Sequence, residues 1–238
     1  MVSQNTSGGT AALFSASRLK LQRATKHIAE LEALAAKHVE AQAANMPPPL
    51  QRPQFADSDG RIMLHGPMTI RGVPEEFGAI VGDVIHNLRA ALDLLACDLV
   101  RKGGGNVNGV YFPFCDKPED LTEVLKRRNF HRAGSKAIAL LKDLEPYRGG
   151  NVALRAIHDL DIEDKHRALI PTVANVTTQS FMVVEIDGNI AAQPVPDSGP
   201  NTTFTFPAGY DFAGKEIITT LHELIELTTG VVEAFAAL

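Results

Sequence analysis

His86, Arg89 and Asp93 stand within one otherwise apolar stretch, Gly82 to Asp98. At about 100° per residue a helix turns all three to one flank, since Arg89 and Asp93 are four apart and His86 is one turn earlier. A second stretch, Leu154 to Arg167, turns His158, Asp161 and Lys165 to a face shared with Leu154 and Ile157, and puts Asp159, Glu163 and His166 on the opposite side. Histidine moves protons near neutrality, while arginine and lysine hold a phosphate and the charge that builds on its oxygens. These types suit metal-independent cleavage of a phosphodiester. His158 or His86 would be the general base, Arg89 and Lys165 would grip the phosphate, and Asp93 or Asp161 would orient a histidine. The same residues also read as structure: Arg89–Asp93 as an ordinary helical pair, and His158, Asp161 and Lys165 as an interhelical polar network that sets register.

Other chemistries find less in the chain. His86, His158, Asp161 and either Asp83 or Asp93 are acceptable metal ligands, and Asp83–His86 and Glu163–His166 have acid-x-x-His spacing. Arg89 and Lys165 would repel the ion, and no HxxxH pair occurs, so no metal is expected. Lys126-Arg127-Arg128, with His131-Arg132 after it, is the one dense basic patch and the candidate nucleic-acid contact. Gly103-Gly104-Gly105 ends a helix instead of opening one, so it makes no phosphate cradle. No Ser-His-Asp or Cys-His signature is present, and no cofactor is expected.

The elements that must position these groups follow from period and punctuation. Residues 1–11 are expected to be disordered, and 12–238 to form one domain. A long helix is expected over about 12–44, with Leu21, Ala24, Ile28, Leu31, Ala35 and Val39 inward, stopped at Pro47-Pro48-Pro49. Residues 51–73 read as an extended excursion with short strands at 61–64 and 68–70. Pro74-Glu75-Glu76 opens the central helix and Arg101-Lys102 followed by the glycines closes it, which matches the helix dipole. Val110 to Phe114 is an apolar loop laid over the helices. Asp116 and Ser135 are candidate caps for helices over 118–127 and 136–144, and Asn151 for one over 152–166. After Pro171, Phe181–Ile186 and Ile190–Ala192 flank Asp187-Gly188-Asn189 as a hairpin, with a further strand at 202–206 inside an excursion spanning 172–206. A closing helix follows over 213–238. The expected fold is α+β, mainly α: a helical bundle with a small antiparallel sheet and a closing C-terminal helix, its two motif helices antiparallel neighbours.

Composition is that of an ordinary globular chain of 238 residues, 45% hydrophobic and 21% charged. A net charge of −5 supplies no general attraction to nucleic acid or anionic lipid. No apolar run reaches the length of a membrane span, and two cysteines, Cys97 and Cys115, are too few for a disulfide framework. A cytoplasmic protein without a leader is expected. Val231 to Leu238 is an apolar terminus whose cover suggests a homodimer.

The paired motifs GDxxHNLRxALDxL (Gly82 to Leu95) and LxxLHxLxxxDKHR (Leu154 to Arg167, Ile157 replacing the second leucine) resemble a family of uncharacterised bacterial and phage proteins. Arg23 to Leu31, Phe112-Pro113-Phe114 and Pro146-Tyr147 fit that resemblance, which spans roughly residues 17–170 and implies no established activity. More distantly, LRxALDxL is similar to helices of HEPN-type bundles. That similarity implies pairing of bundles and a metal-independent ribonuclease or nucleotide-acting role in phage–host conflict. Active members carry Arg-x4–6-His. Here Arg23 and His27, Arg61 and His65, and Arg127 and His131 each leave three residues between. Two readings follow: a HEPN-like protein acting on RNA or a nucleotide, or a non-catalytic binding or scaffolding protein whose polar helix pair is a structural network.

Overall fold

A computed structural model describes residues 13–44, 54–55, 72–166, 170, 172–177, 181–194 and 201–238. The long first helix, α1, runs Ser15–Ala43, and the central helix, α2, runs Glu75–Lys102. On α2, Val81, Val84, Ile85, Leu88, Leu92 and Leu95 are wholly buried, each burial being worth about 1.5–3 kcal/mol. Both ends of α2 follow the sequence. Glu75 and Glu76 stand in its first turn and Arg101 and Lys102 in its last. Gly104 then turns left-handed at φ 75°, and the N–H groups of Gly104 and Gly105 donate to Arg101 and Val100, closing the helix as a Schellman cap.

α1 packs along α2 in the opposite direction. At its start Phe14 N–H donates to Asp98 on the last turns of α2 at 2.8 Å, and further along Lys20 reaches Asn87 at 3.3 Å. The final helix, α6 (Ile217–Ala236), lies against α1, with Arg18 paired to Glu233 at 2.7 Å and His222 to Glu32 at 3.0 Å. Between α2 and α6 come α3 (Leu121–Arg127), α4 (Ser135–Asp143) and α5 (Val152–His166). Asn151 caps α5 as expected, its side-chain oxygen accepting from Leu154 N–H at 2.9 Å. The two other expected caps do not form. Ser135 is the first helical residue of α4, preceded by Gly134 at φ 92°, and Asp116 turns to arginines instead.

Strands follow: β1 (Gln54–Phe55), β2 (Val173–Thr177), β3 (Phe181–Ile186), β4 (Asn189–Pro194) and β5 (Asn201–Thr205). Instead of one small sheet the described residues make two, β1-β4-β3 and β2-β5, all antiparallel. Asp187 and Gly188, both at positive φ, form the expected hairpin turn. The strand over 173–177 was not expected; its partner, β5, is distant in sequence. Phe204 of β5 stacks on Phe77 of α2 at 4.6 Å, which ties the second sheet to the helices. The strands expected at 61–64 and 68–70 lie outside the described residues. α2 and α5 belong to one core: Leu88 and Ile157 are both wholly buried within it. The fold is α+β and mainly α.

Candidate functional site

α2 and α5 cross at Gly82. A Cβ on that residue would overlap the carboxylate of Asp164, so glycine is what allows the approach. Burial, then the neighbouring charges of Asp161 and Asp83, push the Asp164 carboxyl above its ordinary pKa. One turn along, Asp161 is buried and bridges the helices. One oxygen accepts from His86 Nδ1 at 3.0 Å and the other from Lys165 Nζ at 2.8 Å. A carboxylate only accepts, so this bond puts the His86 hydrogen on Nδ1. Numbers on α2 rise (82, 86) as those on α5 fall (164, 161), so the motif helices are antiparallel.

Further along α2, Arg89 is buried and donates to Asp93 Oδ1 at 2.5 Å. The same oxygen accepts the backbone N–H of Phe112 at 2.8 Å. Asp93 thereby anchors the loop Val110–Phe114, and the loop puts Phe114 beside α5. The Arg89 guanidinium lies 4.9 Å from the Phe114 ring centre, and His158 stacks on that ring at 4.8 Å with the planes 3° apart. His158 Nδ1 is fully buried and has no hydrogen-bond partner among the described residues. Burial, and next the charges of Arg89 and Arg155, pull its pKa down to about 4, so the ring is neutral at pH 7.

His158 also forms part of the wall of a cavity of about 890 Å³. Other parts of the wall come from α5 (Asp159, Glu163), α3 (Glu123, Arg127) and the Gly209–Phe212 turn. Arg155, a buried residue of the wall, holds Asp159 at 2.8 Å, Asp116 at 3.0 Å and the Cys115 carbonyl at 2.5 Å. Arg148 closes the lattice on Asp159 at 3.1 Å and Asp116 at 3.2 Å. Its hydrogen bond, and next the charge of Arg155, hold the Asp116 carboxyl below the usual range.

The candidate residues therefore separate into three groups. His86, Asp161 and Lys165 form one chain of bonds, and Arg89 and Asp93 grip the loop. Of the six candidates on the two motif helices His158 alone lines the cavity; His86, Arg89, Asp93, Asp161 and Lys165 are not part of its wall. Asp159 and Glu163, expected to point away, line the cavity because α3 and the 209–212 turn fold over that flank. The basic run divides as well: Arg127 and Arg128 reach the cavity wall, Arg128 lies 5.4 Å over the Tyr111 ring, and Lys126 is exposed elsewhere. Sequence reasoning overlooked Arg155, Arg148 and Asp116. The i,i+4 spacing of Arg155 and Asp159 is the one local signal, since Asp116 lies 32 residues from Arg148 and 39 from Arg155.

Among the described residues no group of three His, Cys, Asp or Glu side chains is placed to hold a metal ion, and no helix is long and apolar enough to cross a membrane. The apolar end of α6 finds cover within its own chain. Val231, Val232 and Phe235 are buried, and Phe235 meets Phe130 edge-on at 6.4 Å. The argument for a homodimer from that terminus is thereby removed. No family model, curated protein or solved structure matches the chain.

Proposed function

We propose that this is a non-catalytic binding protein whose polar helix pair is a structural network and whose cavity takes a small polar ligand. One observation carries the reading: of the six residues suited to phosphodiester chemistry, only His158 reaches the cavity, and the other five bond to one another or to the Phe112 backbone. A general base works best with a pKa near the working pH, and His158, drawn down to about 4, is a weak one. A cavity of about 890 Å³ is within the range of small-molecule sites. The reading favours a small ligand over RNA, and a single chain over a homodimer. It also keeps a cytoplasmic setting, in which Cys97 and Cys115 stay as free thiols.

The test has two arms. RNA is incubated in chelator with wild type, His158→Ala and Arg89→Ala, and no cleavage is expected. Chelator-resistant cleavage that falls at least about a hundredfold in both folded variants would establish the HEPN-like ribonuclease instead. In the second arm a thermal-shift screen covers amines, sugars, nucleotides and carboxylates. A ligand for the folded state raises Tm by mass action, and a screen with no stabilising class would overturn the binding reading.

A further inference from the structure

We propose that single-stranded nucleic acid binds across a basic pole formed where the end of α2 meets the connection between α3 and α4. The proposal concerns this outer surface, whereas the reading above concerns what fills the cavity. Residues 99–115 and 124–142 hold eight lysines and arginines and no aspartate or glutamate, in a chain whose net charge is −5. The fold lays these two segments side by side. Tyr111 N–H donates to the Arg128 carbonyl at 3.4 Å, the Asn129 side-chain amide to the Asn108 carbonyl at 3.2 Å, and the Arg132 guanidinium to the Asn106 carbonyl at 3.3 Å. Phe130, wholly buried and edge-on to both Phe112 and Phe235, pins the connection to the core.

Lys102, Lys126, Arg132 and Lys136 are exposed at this pole and have no ion-pair partner among the described residues. Acids on the flanking elements are engaged elsewhere. Asp98 takes Arg101 and the Phe14 N–H, Glu233 takes Arg18, and Glu123 lines the cavity. One exposed aromatic ring belongs to the same surface: Tyr111 is 46% exposed, and the Arg128 guanidinium lies over it, 5.4 Å from the ring centre. Separated cations suit the regularly spaced phosphates of a strand, and an open aromatic ring braced by arginine is a platform on which an unpaired base stacks. A duplex hides its base faces, which favours the single strand. An anionic membrane is less well served, because Tyr111 is the one large apolar side chain exposed in these two segments.

The experiment is fluorescence anisotropy with labelled oligouridylate and oligothymidylate of about 20 nucleotides, enough to span one binding face. Polyglutamate and vesicles rich in phosphatidylglycerol serve as the other polyanions. Wild type is compared with Lys102→Gln/Lys126→Gln/Lys136→Gln and with Tyr111→Ala. All four positions are exposed, so unfolding midpoints should match wild type. The expected result is saturable binding of both oligonucleotides, weakened by salt. The triple variant should lose at least about tenfold in affinity and lower the log–log salt slope by about 2, at about 0.7 for each phosphate contact. Tyr111→Ala should lose at least about fivefold with nearly the wild-type salt slope. Binding that is absent, or unchanged in the triple variant, would overturn the proposal, and Tyr111→Ala binding like wild type would overturn the single-strand assignment. Polyglutamate or vesicles bound as tightly as the oligonucleotides would overturn nucleic acid in favour of an acidic protein or a lipid surface.

Discussion

On the flank of α5 that meets α2, Asp161 accepts from His86 at 3.0 Å and from Lys165 at 2.8 Å, and Asp164 sits over Gly82 with no room for a methyl group. On the other flank, Asp159 and Glu163 face a cavity of about 890 Å³. Both flanks carry the same kinds of residue. What separates them is the element opposite. A long, close-packed helix faces the first, and each polar group there must find a protein partner or carry a desolvation cost. A short helix and a turn face the second, where solvent or a ligand can complete the bonding. Mixed charge on one helix therefore marks two different things, a seam and a site, and burial of the surroundings decides which.

The largest effect should come from the seam. Asp93→Ala leaves the buried Arg89 guanidinium unpaired and the Phe112 N–H without its acceptor, and should cost on the order of 3 kcal/mol in denaturant unfolding. A loss under about 1 kcal/mol would mean that the seam is as tolerant as the cavity wall, and would end the distinction.

His158 belongs to both regions, and pH separates its two roles. Its folded pKa, about 4, lies below the ordinary 6.5, so between those values the unfolded chain binds more protons. Stability from this residue is therefore complete above pH 6.5 and is lost as pH falls toward 4. Discounted for the ring's partial exposure, the loss is about 2 kcal/mol. His158→Phe keeps the stack on Phe114 and removes the titrating group, so its unfolding free energy should lack this part of the pH dependence. Identical profiles for variant and wild type would show that the ring is not held neutral by burial.

The smallest effect is a sign change at the helix crossing. Gly82→Ala should destabilise the wild type, because Asp164 must move to admit the methyl group. In an Asp164→Ala background the same change should stabilise by about 1 kcal/mol, the gain of alanine over glycine in a helix. The same sign in both backgrounds would remove Asp164 as the reason for the glycine.

Much of the local structure was legible without coordinates, because its causes lie within a few residues. The α2 stripe from Val81 to Leu95, the glycine stop after Lys102, the Asn151 cap and the Asp187-Gly188 turn each depend on near neighbours. The β2 strand was missed, since a five-residue segment carries little period and its partner lies at 201–205. Asp116 reads as a cap from its neighbours alone, because its actual partners, Arg148 and Arg155, are more than 30 residues away.

The sequence by itself determined which side chains share a flank of α2 and of α5, and that those flanks mix charge with apolar stripes. It also determined where both helices begin and where α2 stops. Tertiary packing alone sets that His86 joins Asp161 across 75 residues, that Phe114 contacts both Arg89 and His158, and that the supposed outer side of α5 faces a cavity. Helical period gives the angle of a residue about its own axis. It does not give what stands opposite, and for a charged group the opposite surface decides between a buried network and an open site.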